Sequence, residues 1–99
     1  MKTRHTKITQ IATVNGVDSV VLPSNPLRKA LLIMYNSGNG STFNFGAPAS
    51  PTAGFTLSNP GPIPFILDIE EMGDGITAEL HGIGNGGAGN FCIIEGFED

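Results

Sequence analysis

Asp68, Glu70, Glu71 and Asp74 form the densest run of oxygen ligands in the sequence. A calcium ion takes six to eight oxygens, but an EF-hand sets its acids at alternate positions with a bidentate Glu at the twelfth, and this run does not. It reads as a solvated acidic turn. Glu79 and His81 sit at alternate positions and share one face of a strand, His5 lies in the basic N-terminal segment, and Cys92 is distant from both. That supplies no three-ligand zinc set. Ser41, His81 and Asp74 offer the residue types of a nucleophile, a base and an orienting group, yet no nucleophile elbow surrounds the serine. The segments Gly82-Ile83-Gly84-Asn85-Gly86-Gly87 and Gly84-Asn85-Gly86-Gly87-Ala88-Gly89 both satisfy G-x-G-x-x-G. A dinucleotide site also needs a helix opening on the pyrophosphate and an acid some 20 positions on, whereas a strand follows here. Asn39-Gly40-Ser41 fits a glycosylation sequon and is read as a turn. The expectation is a protein without catalytic residues, metal or cofactor.

The elements that carry these residues are bounded by composition. Leu, Ile, Val and Phe make up 27 of 99 residues, enough for one core, and Gly plus Pro make up 21, which leaves few uninterrupted stretches for a long helix. The longest apolar run, residues 30–35, is far short of the roughly 20 needed to cross a bilayer. Residues 1–7 lead into no hydrophobic signal region, so synthesis and retention in the cytoplasm are expected. Cys92 has no intrachain partner and lies within Phe91-Cys92-Ile93-Ile94, where burial as a small hydrophobe is expected.

Charge is sorted along the chain. All five basic residues (Lys2, Arg4, Lys7, Arg28, Lys29) fall in the first third, and eight of the nine acids lie from Asp68 onward. Opposite patches of this kind steer and register association. The candidate partner contacts are therefore Lys2, Arg4, Lys7, Arg28 and Lys29 on one side, with Asp68, Glu70, Glu71 and Asp74 on the other. A net charge of −4 argues against nucleic acid. Residues 1–7 read as a flexible basic arm and residues 8–99 as the folded domain.

Within that domain the pattern has a period of two. Residues 7–14 and 17–22 read as strands joined by Asn15-Gly16, a type I′ hairpin dipeptide. Residues 28–36 are apolar at every position from Ala30 to Tyr35, so both faces of that strand are covered, one by the core and the other by a loop or a subunit. Phe43 and Phe45 share a face opposite Thr42 and Asn44, and residues 54–57, 64–69, 76–83 and 91–97 complete the set. Residues 84–89 read as a flexible connection. About eight short strands at spacings near ten residues, with turn chemistry between them, predict an all-β, single-domain antiparallel β-sandwich of jelly-roll type. A carbohydrate-binding sandwich is the rival among such folds, but zero Trp and a lone Tyr35 leave it without aromatic platforms.

Asn25-Pro26-Leu27-Arg28-Lys29-Ala30-Leu31-Leu32-Ile33-Met34-Tyr35-Asn36, Phe43-Asn44-Phe45-Gly46 and Ala53-Gly54-Phe55-Thr56-Leu57 before Pro60-Gly61 resemble small β-sandwich virion proteins of tailed bacteriophages. Gly75-Ile76-Thr77-Ala78 and Cys92-Ile93-Ile94-Glu95-Gly96 are similar as well, so the resemblance spans residues 25–96. It implies a non-enzymatic capsid decoration or cement protein on the capsid exterior, a dimer or trimer whose partner is the major capsid protein or another virion protein. No catalytic residue carries over. Neck, tail and fibre-associated pieces belong to the same family and supply the alternative role. The chain departs from the family in its own hairpin, residues 7–22, and in its acidic segment, residues 68–74.

Overall fold

Side chains on a strand alternate between faces, so a chain of short alternating segments buries its apolar half only by stacking two sheets. The computed structural model describes residues 3–57, 65–68 and 73–98. Among these lie β1 (Arg4–Ala12), β2 (Ser19–Leu22), β3 (Arg28–Gly38), β4 (Ser41–Phe45), β5 (Phe55–Leu57), β6 (Phe65–Asp68), β7 (Leu80–Gly84) and β8 (Gly89–Glu98). They form two antiparallel sheets, ordered β1-β8-β3-β6 and β2-β7-β4-β5. Every connection except β4–β5 passes from one sheet to the other, which is the topology of a jelly roll. The all-β sandwich predicted from turn spacing is the fold.

The core lies between the sheets. Leu31, Ile33, Phe91 and Ile93 from one sheet meet Leu22, Phe43 and Leu80 from the other, and Ile76 joins them from a 3₁₀ turn, Gly73–Thr77. Phe43 and Phe91 pack edge to face with centroids 5.0 Å apart, an arrangement favoured by the ring quadrupoles.

Four local expectations are corrected. Asn15-Gly16 does turn the chain, with the Val17 N–H donating to the Val14 carbonyl at 3.3 Å, but only Gly16 has a positive φ, at 68°. A type I′ turn needs positive φ at both central residues, and without it the strands splay. Val14–Val17 is accordingly an isolated bridge, and the turn is a corner sending β1 to β8 in one sheet and β2 to β7 in the other. The single strand expected over residues 76–83 begins instead as the 3₁₀ turn, because Ile76 must point into the end of the core, and β7 starts only at Leu80. Residues 84–89 do not form a loose connection. A Cβ on Gly89 would sit 2.2 Å from the Asn39 carbonyl oxygen, so that residue is held where only glycine fits. The predicted arm over residues 1–7 is also overturned from Arg4 onward, since Arg4 to Lys7 open β1 and pair with Glu98 to Glu95 of β8.

Arg28 is the largest departure. Expected on a docking surface, it is fully buried. The β3–β8 register shifts between Arg28 and Ala30, and this bulge lets Arg28 and Leu31, three residues apart, both face the core. There Nε donates to Glu95 Oε2 at 2.9 Å, Nη1 to the carbonyls of Ile76 (2.8 Å) and Ala78 (2.9 Å), and Nη2 to that of Pro23 (2.7 Å). The planar fork matches these acceptors in a way a lysine could not.

Removing one partner of a buried pair strands the other charge. Arg28→Met is expected to lower unfolding free energy by about 3–5 kcal/mol in urea titration, with a smaller loss for Glu95→Gln, since Arg28 then keeps its three carbonyls. Deleting residues 1–7 removes four of the nine β1–β8 pairs, Arg4 through Lys7. A clear drop in thermal midpoint is expected, and an unchanged midpoint would contradict the observed pairing.

Candidate interaction surface

With Leu31, Ile33, Phe91 and Ile93 turned to the core, the intervening residues of β3 and β8 lie on the outer face. The register aligns them into one transverse row, Ile8–Ile94–Leu32–Ile66, running through all four strands of the sheet. Met34 pairs with Cys92 one step along, and Gly96 pairs with Ala30 on the other side of the row. This face is open: Ile8 is 66% exposed, Ile66 62% and Met34 37%. The unbroken apolar run of residues 30–35 thus has one buried side and one accessible side. Cys92, predicted to be buried, is only half-buried, because its position on β8 alternates with Phe91 and Ile93. Next to Gly96 and Ala30, where side chains are smallest, a groove of about 220 Å³ is lined by Arg4, Thr6, Lys29, Glu98 and the stacked rings of His5 and Phe97.

The sorted charges have a different outcome from the one their spacing predicts. Because β8 lies between β1 and β3, the basic first third of the chain and the acidic last strand are neighbours. Arg4 pairs with Glu98 at 2.9 Å and Arg28 with Glu95 at 2.9 Å, so part of the expected complementarity is spent inside the molecule. Arg4 and Lys29 line the groove together, Lys7 is exposed on β1, Asp68 ends β6, and Asp74 is exposed on the 3₁₀ turn. Lys2, Glu70 and Glu71 lie outside the described residues, as does part of the segment read as a solvated acidic turn. Among the described residues no group of three His, Cys, Asp or Glu could hold a metal ion.

Two polar clusters form around the turn between β1 and β2. Thr13 Oγ1 lies 2.7 Å from Ser41 Oγ and accepts the Gly89 N–H at 2.9 Å, so Ser41 is a buried structural hydroxyl. At the β7 corner, His81 is buried with Nδ1 3.0 Å from Asp18 Oδ2 and Nε2 2.9 Å from Glu79 Oε1. The Glu79 contact was legible in the alternate spacing. Asp18 was not, since it comes from the turn that crosses between sheets, where it also accepts the Ala49 N–H at 2.8 Å. The Asp18 and then the Glu79 hydrogen bonds raise the His81 pKa against the effect of burial. For Asp18, desolvation pushes upward, but the Ala49 N–H and His81 together take it below the usual carboxylate value. With both ring nitrogens held by carboxylates, the doubly protonated form of His81 is favoured, and the ring ties the turn at Asp18 to the start of β7.

No protein-family model matches this sequence, and no curated protein matches it either. A solved structure from work on Bacillus endospore appendages, described as a novel family of disulfide-linked pili, is similar over 98% of this chain and 89% of its own, with a TM-score of 0.59 and 13% identical residues. At that identity the likeness establishes a shared fold.

The raised His81 value places its stabilisation below about pH 6.5, the ordinary histidine pKa, and removes it as pH rises through the folded value. The lowered Asp18 value gives the opposite window, present above the ordinary carboxylate pKa and lost as pH falls through the folded one. Thermal midpoints across pH 5–9 are expected to decline on the alkaline side in the native protein, with a shallower decline in His81→Gln. Parallel curves for the two would contradict this.

Proposed function

We propose that this chain is a non-enzymatic structural subunit, a jelly-roll slab that takes its place in a larger protein assembly beside further copies of itself. The observation that carries this reading is the apolar row Ile8–Ile94–Leu32–Ile66 across an open sheet face. A contiguous exposed apolar patch is costly to leave in water and marks a contact surface in soluble proteins. Ser41 and His81, with Asp18 and Glu79, are tied into structural hydrogen bonds around the β1–β2 turn.

The resemblance of residues 25–96 to tailed-phage virion proteins supports a finer role, decoration of the capsid exterior with the major capsid protein or another virion protein as partner. In such a role many modest contacts act together over a lattice. A second reading, a subunit of a surface appendage, is favoured by the fold shared with a pilus-forming protein. Cys92 is the single cysteine of the sequence, and a filament with a disulfide at every junction needs at least two per subunit. One cysteine per chain can bridge at most every second junction, so a filament of this chain needs noncovalent contacts at the others.

Mass spectrometry of purified particles, with negative-stain microscopy of the isolated protein, tests these roles. Many copies per particle are expected for decoration, a handful for a neck or tail piece, and regular filaments of the protein alone for an appendage. A chain that is absent from particles and monomeric at every concentration would overturn the structural role.

A further inference from the structure

We infer that the groove over Gly96 is a socket for a carboxylate, and that the side chain entering it is Asp74 of a second copy of this chain, carried on the Gly73–Thr77 turn. The inference rests on the structural role above and adds a contact separate from the apolar row, between two different surfaces and with its own chemistry.

Nothing inside the molecule requires the groove. Gly96 lies within β8, an interior strand of its sheet, where a glycine has no side chain to pack and weakens the ladder. Its φ is not positive, and a Cβ added there would meet the Ala30 Cβ at 3.4 Å, an ordinary contact. A larger residue is therefore accommodated by this chain, and bare backbone at such a position marks the close approach of a ligand or another chain. Thr6 on β1 and Ala30 on β3 flank Gly96, so the floor carries no large side chain. The space, about 220 Å³, lies below the roughly 300–1,000 Å³ of small-molecule pockets and suits one side chain of a partner.

Charge selects the side chain. Arg4 on β1 and Lys29 at the start of β3 both line the groove. Arg4 is matched by Glu98 at 2.9 Å, whereas Lys29, although half-buried, has no ion-pair partner among the described residues. The groove thus holds a surplus positive charge, for which a carboxylate is the complement. Among the described carboxylates, Asp18 and Glu79 hold His81, Glu95 holds Arg28 and Glu98 holds Arg4. Asp74 is exposed and has no ion-pair partner among the described residues. It stands between Gly73 and Gly75, where an added Cβ would meet nothing within 4 Å, so its turn projects into open space and is narrow on both sides of the carboxylate. Each copy carries one groove and one such turn, and the contact can repeat from copy to copy.

Sedimentation of the native chain is expected to show association that depends on concentration and weakens as salt is raised. Lys29→Glu and Asp74→Lys are each expected to weaken it roughly tenfold or more, and an equal mixture of the two to restore it, since each groove then meets a turn of opposite sign. Lys7→Glu, the same charge change on the other face of β1, is expected to leave association unchanged. Gly96→Val separates folding from docking: a thermal midpoint at or above the native one is expected, with association lost because the new side chain fills the groove. Association untouched by Lys29→Glu and Gly96→Val overturns the socket and leaves the structural role standing. Loss in both charge variants with no recovery on mixing overturns Asp74 as the occupant. A native chain monomeric at every concentration overturns the contact, and its absence from particles as well overturns the structural role.

Discussion

A fully buried guanidinium holds this sandwich in register. Arg28 sits where the end of β2, the start of β3, the 3₁₀ turn and β8 converge, and its donors reach Glu95 and the carbonyls of Pro23, Ile76 and Ala78. Desolvating two charges is expensive, and the attraction between them offsets the cost only when the remaining donors and acceptors are also satisfied. The three carbonyls supply that satisfaction. They belong to segments without a regular strand partner at those positions, so the arginine substitutes for ladder hydrogen bonds that a crossing chain cannot make. A shift of β3 by one residue would turn Arg28 to the outside and Glu95 would be left alone in the core.

The same geometry explains where the charges go. In a jelly roll the first and last strands are neighbours, so a chain with basic residues early and acidic residues late pairs them internally. Arg4–Glu98 closes the far end of the β1–β8 ladder, and Arg28–Glu95 ties the start of β3 to β8. What remains for contact on the outer face is chiefly apolar. Complementary charge thus acts first on folding and register.

The corners are polar for a related reason. Each passage between sheets takes backbone out of the ladders and exposes donors and acceptors that need partners. Thr13, with Ser41 and Gly89, and Asp18, with the Ala49 N–H and His81, supply them along the β1–β2 passage. Residue types that could form catalytic sets are used here to join loops. That use accounts for His81, Ser41 and Asp18 without assigning them to a reaction.

The sequence by itself determined the class of fold, the approximate places of the strands and the two-sided apolar character of β3. These are local properties, set by alternation, by Gly and Pro at turns and by the length of apolar runs. It did not reveal that Asn15-Gly16 is a corner, that residues 76–77 complete a 3₁₀ turn, or that Arg28 is interior. Each depends on which strand lies beside which, and a jelly roll pairs segments up to the full length of the chain apart. The outer apolar row is the clearest case. Ile8, Leu32, Ile66 and Ile94 have no shared spacing, and only the register of four antiparallel strands aligns them. Tertiary pairing decided the surface because side-chain direction is a local property of a strand, whereas adjacency across a sheet is not.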